Sequence, residues 1–523
     1  MERKIAIWGT GNIYTQIIGR CPGLMPVKLI DNDLGKSGMV LNGIEIIHPS
    51  HIMNWQEFFV ILALDNYISV KRQLEKIGLK EKVDFVWYRD WGKQSEIEDI
   101  IKEAEEFLDE IELHGNAFHG YKIIFSDFLS FDKGLCDYVN KWNLIEGNMV
   151  LLSEAAWVSR ERKNMMSLPI LELPMVLLHN KYLLSDVGRI PFEYNEENGF
   201  EKRYLNEAVE NLRLGFPDMA DGYEFVICYY AEKIVQKIIE IWKPSQVILW
   251  NAFYALHFII RNICEVRQIP VKYMEFGNIP GTIILEETGQ MGESWPARYP
   301  KEFMKIPVSG KEYREAELLI QKLHKSGLNR NVQPQNDKLY EVKQKLKPDR
   351  PVIFYAGQND NACGMQPYTE NTRRFHSPVF KSSDEAALFL AEICKKNEWN
   401  YIYKPHPMMA RYCSQAALPE NVIFVEDVDI NGMIDLSDVV VTILSTVSYI
   451  GLIRQKPVVM LGYTQLKEKG CTYEAFDRNN IEFILKKSFY KGLTIYMKEA
   501  FIHHIAKLKK YYHDLDWTEI RDE

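Results

Sequence analysis

"LSDVVVTILSTVSYIGLIRQKPVVMLG" (436–462) is the stretch whose reading decides the fold. An apolar run ends at two hydroxyls, Ser445 and Thr446; a helix-like segment, "VSYIGLI", then leads into a second apolar run, "KPVVMLG". A run that is apolar at every residue suits a strand buried on both faces. The succession strand, helix, strand is the unit from which parallel sheets are assembled, so an α/β fold is expected here.

Working outward, the same alternation recurs in "PVIFYAGQND" (351–360), "SDEAALFLAEICKKN", "WNYIYKPHP" and "NVIFVED" (421–427). These define an α/β domain over 346–495, followed by an amphipathic helix over 496–523. At the other end, "KIAIWGTG", "NIYTQIIGR", "VKLIDND" and "FFVILALDN" predict a small Rossmann-like domain over 1–92. The acidic stretch 93–115 reads as a solvated connecting helix. The span 116–345 reads as a further domain, its clearest element being "SQVILWNAFYALHFIIRNICEVRQIPVKYMEFG" (245–277).

Composition bounds the function. A chain of 523 residues, at about 150 per domain, suggests three or four domains. Hydrophobic residues at 46% and charged ones at 26% predict a folded globular chain. A net charge of −9 argues against a general nucleic-acid binder. No apolar run approaches the length of a membrane span. The start, "MERKIAIWGTG", reads as a strand rather than a secretory leader, so a cytoplasmic protein is expected. The eight cysteines are scattered without CxxC pairs, which predicts reduced side chains and no structural zinc.

Ligands of open parallel sheets bind beyond the carboxyl ends of the strands. Ser445 and Thr446 stand at such an end, where they either cap the following helix or seat a phosphate. His406 stands at another, in "KPHP", its ring presented from a backbone stiffened by Pro405 and Pro407, with Lys404 adding a cation. In the N-terminal domain "GTGNIY" (9–14) carries Gly9 and Gly11, with Tyr14 where the dinucleotide fingerprint has its third glycine. Asp31 follows about twenty residues on, as a ribose-binding acid would. NAD or a sugar nucleotide is one expectation for this domain, and a packing module without ligand is the other. "DND" (31–33) and "DVD" (427–429) fit the short DxD pattern, which arises easily by chance.

Taken together, "KPHP", "LSDVVVTILSTVSYIGLIRQKPVVMLG", "YAGQNDNACG" (355–364) and "YMEFGNIPGTIILEETGQMGES" (273–294) resemble bacterial capsule polysaccharide biosynthesis glycosyltransferases, the CMP-Kdo-dependent β-Kdo transferases. They are similar, more loosely, to polysialyltransferases and to the CDP-glycerol transferases of teichoic acid synthesis. The resemblance implies a GT-B fold, two Rossmann-like domains facing a cleft, preceded here by the extra N-terminal domain. It implies Glu275 as the catalytic base and His406 as a second catalytic residue on the leaving phosphate. Gln358, Asp360, Lys404, His406, Ser445 and Thr446 would bind the donor. The family often has an acid immediately before the glycine, where this chain has Phe276, so Glu286 and Glu287 stand in reserve.

The expected activity is an inverting glycosyl transfer without a metal or other cofactor, from a CMP-linked Kdo-like donor to a glycan or lipid-linked acceptor. A glutamate at its ordinary pKa is ionised at neutral pH and can accept the acceptor's proton. The alternatives are a CDP-glycerol-type polyol-phosphate transferase, and an NAD-dependent oxidoreductase or nucleotide-binding scaffold built on 1–92. The partners expected are small molecules rather than nucleic acid. A peripheral place at the inner face of the cytoplasmic membrane and a homo-oligomer both fit this reading.

Overall fold

The computed structural model describes residues 3–20, 24–64, 67–88, 97–128, 133–154, 163–177, 203–216, 219, 222–329, 333–334, 338–407, 409 and 418–512. The chain forms two compact units, one of residues 1–250 and 255–270, the other of 251–254 and 271–523. It contains three six-stranded, mostly parallel sheets, as the α/β reading anticipated.

In the first unit, β1 (Lys4–Trp8), β2 (Lys28–Ile30), β3 (Val40–Leu41), β4 (Ile44–Ile47), β5 (Phe58–Leu62) and β6 (Phe85–Trp87) form a sheet of order β3-β4-β2-β1-β5-β6. Every pairing is parallel except β3 with β4. The chain leaves β1 toward β2 and returns to its other side at β5. That reversal opens a crevice at the carboxyl ends of β1 and β5, beside helix α1 (Asn12–Arg20).

The first unit also holds four parallel strands of the second sheet: β7 (Lys122–Ser126), β8 (Met149–Ser153), β9 (Ile170–Glu172) and β10 (Gln246–Trp250), in the order β10-β7-β8-β9. Helix α2 (Ile97–His114) lies where a solvated connector was expected, and the structure corrects that reading. Ile100, Ala104, Phe107, Leu108 and Ile111 are all buried, because α2 lays this stripe against α3 (Tyr223–Trp242). Its acids occupy the opposite face, which is what the sequence displayed most plainly. Helix α4 (Ala255–Val266) follows β10, and its His257 pairs with the buried Glu154 just after β8.

The second unit opens with the antiparallel hairpin β11 (Val271–Phe276) and β12 (Ile283–Glu286), in which Glu275 stands opposite Ile284. Residues 271–345, read from sequence with the preceding domain, are therefore part of this second unit. They include α5 (Gly310–Ser326), opened by a capping box between Ser309 and Glu312. The third sheet comprises β13 (Val352–Ala356), β14 (Asn400–Lys404), β15 (Val422–Phe424), β16 (Val439–Thr442), β17 (Val458–Met460) and β18 (Tyr473–Glu474), in the order β15-β14-β13-β16-β17-β18 and parallel throughout. Helices α6 (Ser383–Asn397), α7 (Val447–Ile453), α8 (Ile481–Lys491) and α9 (Ile495–Tyr511) follow.

Helix α9 packs on α5. Lys507 Nζ turns inward and donates to the carbonyls of Met304 and Ile306 at 2.5 and 2.7 Å, while the exposed Lys510 reaches Glu312 at 3.2 Å. Among the described residues no helix is long and apolar enough to cross a membrane. Six cysteines, Cys136, Cys228, Cys264, Cys363, Cys394 and Cys471, are buried and free; Cys21 and Cys413 lie outside the described residues.

Candidate functional site

In the third sheet the chain passes from β13 to β14 and β15 on one side, then crosses back to β16, β17 and β18 on the other. The carboxyl ends of β13 and β16 therefore flank the switch point, where parallel sheets bind ligands. Two loops meet there, 357–365 after β13 and 443–446 after β16.

Gln358 ties these loops together. Its Oε1 accepts the Leu444 N–H at 2.7 Å, and its Nε2 donates to Cys363 Sγ at 3.1 Å and to Met365 Sδ. Asp360 Oδ2 accepts the Ser383 N–H at 2.8 Å, at the first residue of α6. The two side chains are only 4% and 5% exposed. The sequence placed both on the donor; the structure places both inside the protein, where they shape the loop that faces Ser445. Burial lifts the Asp360 carboxyl to about 7, with the nearby Asp384 charge adding to the rise.

Beside these loops lies a small, open pocket whose walls include Glu275, Asn278, Ser445, Thr446, Tyr449 and Gln465. It brings the proposed base and both hydroxyls together, although they come from strands 170 residues apart in sequence (445 − 275). Glu275 is the penultimate residue of β11, half-buried. The turn after it is tight, with Gly277 N–H donating to Thr282 O at 2.7 Å. A Cβ at Gly277 would lie 2.0 Å from Thr282 Oγ1, so the glycine is required there. Thr446 also forms part of a neighbouring small pocket lined by 276–282 and Ile450.

The two hydroxyls differ in role. Ser445 Oγ accepts the Val447 N–H at 3.3 Å, and its carbonyl accepts the Ser448 hydroxyl at 2.9 Å. Thr446 precedes α7 without forming a side-chain cap. Capping therefore accounts for Ser445 in part and leaves the Thr446 hydroxyl at the pocket wall.

Behind the wall runs a hydrogen-bonded chain that sequence reading missed. Asn278 Nδ2 donates to Gln465 Oε1 at 2.7 Å, Gln465 Nε2 to Tyr512 Oη at 2.9 Å, and Tyr512 Oη to Glu286 Oε2 at 3.0 Å. Tyr511 reaches the other Glu286 oxygen at 3.2 Å, and on the far wall Tyr449 Oη pairs with His504 Nε2 at 2.9 Å. Burial, then the Glu286 charge, hold the Tyr512 phenol well above its ordinary range, so it stays a donor. Only the position of Asn278, directly after "EFG", hinted at this chain; Gln465, His504 and Tyr512 are spread over three segments.

Glu286, the reserve base, is buried and spent on this chain and on the N–H groups of Glu287 and Thr288 at 2.9 and 3.1 Å. Glu287 is exposed and 3.6 Å from Lys272. Lys404 ends β14 and His406 follows it, two strands from β16, which separates the strand ends by about 10 Å. His406 is half-buried and is not among the residues lining the Ser445–Thr446 pocket. Burial pushes the Lys404 amine below its ordinary pKa, against the pull of Asp427.

In the first unit, Gly9 has φ +112°, and a Cβ there would meet the Ala63 carbonyl oxygen at 2.4 Å; around Gly11 the space is open. Asp31 accepts from Thr10 Oγ1 at 2.5 Å, Lys36 Nζ at 2.9 Å and the Asp33 N–H at 3.0 Å. Burial would raise its pKa, but these donors outweigh burial and lower it. The acids of the two DxD runs have local duties: Asp33 and Asp429 cap short helices, and Asp427 pairs with Lys338 at 3.1 Å. Among the described residues no group of three His, Cys, Asp or Glu is placed to hold a metal ion.

Comparison with known proteins adds two family matches. Residues 1–83 match the N-terminal family described as C2185-like, and residues 362–505 match the capsule polysaccharide biosynthesis protein family. No curated protein matches the chain. Among solved structures, it is similar to two KpsC proteins of Thermosulfurimonas dismutans. The β-Kdo 2,7 transferase is 16% identical, TM-score 0.34, covering 52% of this chain and 79% of the other. The β-Kdo 2,4 transferase is 14% identical, TM-score 0.34, covering 50% and 87%. The UDP-GlcNAc 2-epimerase of Neisseria meningitidis is 11% identical, TM-score 0.26, covering 75% and 99%. Over residues 362–505, which carry His406, Ser445 and Thr446, the chain matches the capsule polysaccharide biosynthesis family that its motifs resemble.

Proposed function

We propose that this protein is a glycosyltransferase of capsule or surface polysaccharide synthesis, transferring a Kdo-like sugar from a CMP-linked donor with inversion at the anomeric carbon. The observation that carries it is the shared pocket: a carboxylate, Glu275, stands with the hydroxyls of Ser445 and Thr446, and the two hydroxyls lie in the span 362–505 that matches the family. In the reaction the acceptor hydroxyl gives its proton to the Glu275 carboxylate as its oxygen bonds the anomeric carbon. The bond from that carbon to the phosphate oxygen breaks, and its electron pair leaves with the nucleotide. Ser445 and Thr446 donate hydrogen bonds to the phosphate oxygens as negative charge grows there. Asn278 and Gln465, held by their chain to Glu286, fix the polar wall opposite. His406, from its place two strands away, meets the donor at a separate point.

A panel of CMP-, CDP-, UDP- and GDP-linked donors, read by thermal shift and nucleotide release, tests the proposal. Cytidine nucleotides at about 100 times their Kd should stabilise the protein by about 3 kcal/mol. Binding of no cytidine nucleotide removes the CMP donor. Undiminished binding in His406→Ala removes the role of that histidine while leaving the donor standing. Consumption of CDP-glycerol with formation of a phosphodiester would identify the polyol-phosphate transferase instead.

A further inference from the structure

The outer face of α8 and the first turn of α9 form a surface unlike the rest of the second unit. Phe483 is 66% exposed, Tyr490 90%, Ile495 67% and Tyr496 79%. Single exposed apolar residues are ordinary, but three of the five exposed aromatics among the described residues cluster here within fourteen positions. Phe483, Lys486, Lys487 and Tyr490 are spaced at helical three- and four-residue intervals, which places them on one face of α8. The opposite face, Ile481, Leu485 and Ser488, is packed into the core. Only residues 492–494 separate α8 from α9, so Ile495 and Tyr496 continue the same corner.

The charge of this surface is as particular as its apolarity. From 483 to 498 the chain holds Lys486, Lys487, Lys491 and Lys498 and no acid, in a protein with 72 acids and a net charge of −9. Glu482, the neighbouring acid on α8, is bound by Lys396 at 2.8 Å and Lys486 at 2.7 Å, so its charge is offset. Aromatic rings flanked by lysines suit the boundary between lipid headgroups and acyl chains, where rings bury their apolar bodies and amines meet anionic phosphates.

We infer that this corner, Phe483 to Lys498, docks the protein onto a bilayer carrying anionic headgroups. Further along α9, Lys507, Tyr511 and Tyr512 are bonded within the unit instead. The docking is peripheral, weakens with added salt, and is independent of which sugar the pocket takes.

Flotation of the full chain with vesicles of phosphatidylcholine plus phosphatidylglycerol, against phosphatidylcholine alone, tests this. The anionic vesicles should bind at least about tenfold more tightly. Tyr490→Ser with Tyr496→Ser, and separately Lys487→Glu with Lys491→Glu, should each lower that binding about tenfold or more without changing the thermal midpoint. Equal binding to both vesicles, or undiminished binding by both variants, would overturn the proposal. So would a lipid-free dimer in analytical ultracentrifugation that the tyrosine variant abolishes, which would assign the patch to a second copy of the chain.

Discussion

Gln358 Oε1 accepts the Leu444 N–H at 2.7 Å, so the residue immediately before Ser445 is held by a side chain from the loop after the neighbouring strand. Gln358→Ala should lose a buried bond and leave an unmet donor, a cost of about 1–3 kcal/mol. Because the Ser445–Thr446 turn then loosens, nucleotide affinity should fall although Gln358 is not in the pocket wall. Chemical unfolding and nucleotide titration on the same variant check both parts.

Glu275→Gln keeps the size of the side chain and removes its basicity. Turnover should drop about 10²–10⁴-fold, with the nucleotide-induced thermal shift retained. Nucleotide release assays with and without acceptor measure this; full turnover by the variant would transfer the base role elsewhere.

Asp360 supplies a pH signature. Its carboxyl is raised from 3.8 to about 7 in the folded protein. The folded state therefore holds a proton that the unfolded chain has lost, and the stability linked to that proton is present below the unfolded value and declines as pH rises through the window to about 7. Asp360→Asn should be near neutral at about pH 4 and stabilising by roughly 2–4 kcal/mol at about pH 8. Unfolding midpoints of the two proteins across that range provide the comparison, and parallel curves would contradict the expected proton uptake.

Tyr512 links Gln465 to Glu286. Tyr512→Phe should cost about 1–3 kcal/mol by leaving a buried carboxylate oxygen short of a donor. It should also raise the KM for the sugar nucleotide more than it lowers kcat, since it acts on the wall and not on the reacting atoms. Steady-state kinetics separate the two parameters.

Much of this was legible in local sequence. Runs such as "VVVTIL", apolar but for Thr442, and "VIFYA" show the near-continuous apolar pattern that a strand buried on both faces demands, so the sheets could be read without coordinates. The glycine after "EF" and the hydroxyl pair after β16 were visible for the same kind of reason: turns and strand ends restrict residue type. The acidic stretch that forms α2 misled because its exposed face is charged while its buried stripe of Ile100, Ala104, Phe107, Leu108 and Ile111 needed α3 to explain it.

The sequence by itself determined which segments are strands and where the polar residues stand at strand ends, and it offered Ser445, Thr446 and His406, with Glu275 through the resemblance, as candidate groups. Only the tertiary structure decided who meets whom. Strand order, set by crossovers through distant helices, put β16 beside β13 and left β14 on the far side, so Ser445 and Thr446 join Glu275 while His406 stands about 10 Å along the edge. Burial decided the rest: Gln358 and Asp360 carry the chemistry of ligand-binding residues, but below 6% exposure their side chains bond the Leu444 and Ser383 N–H groups of the protein itself.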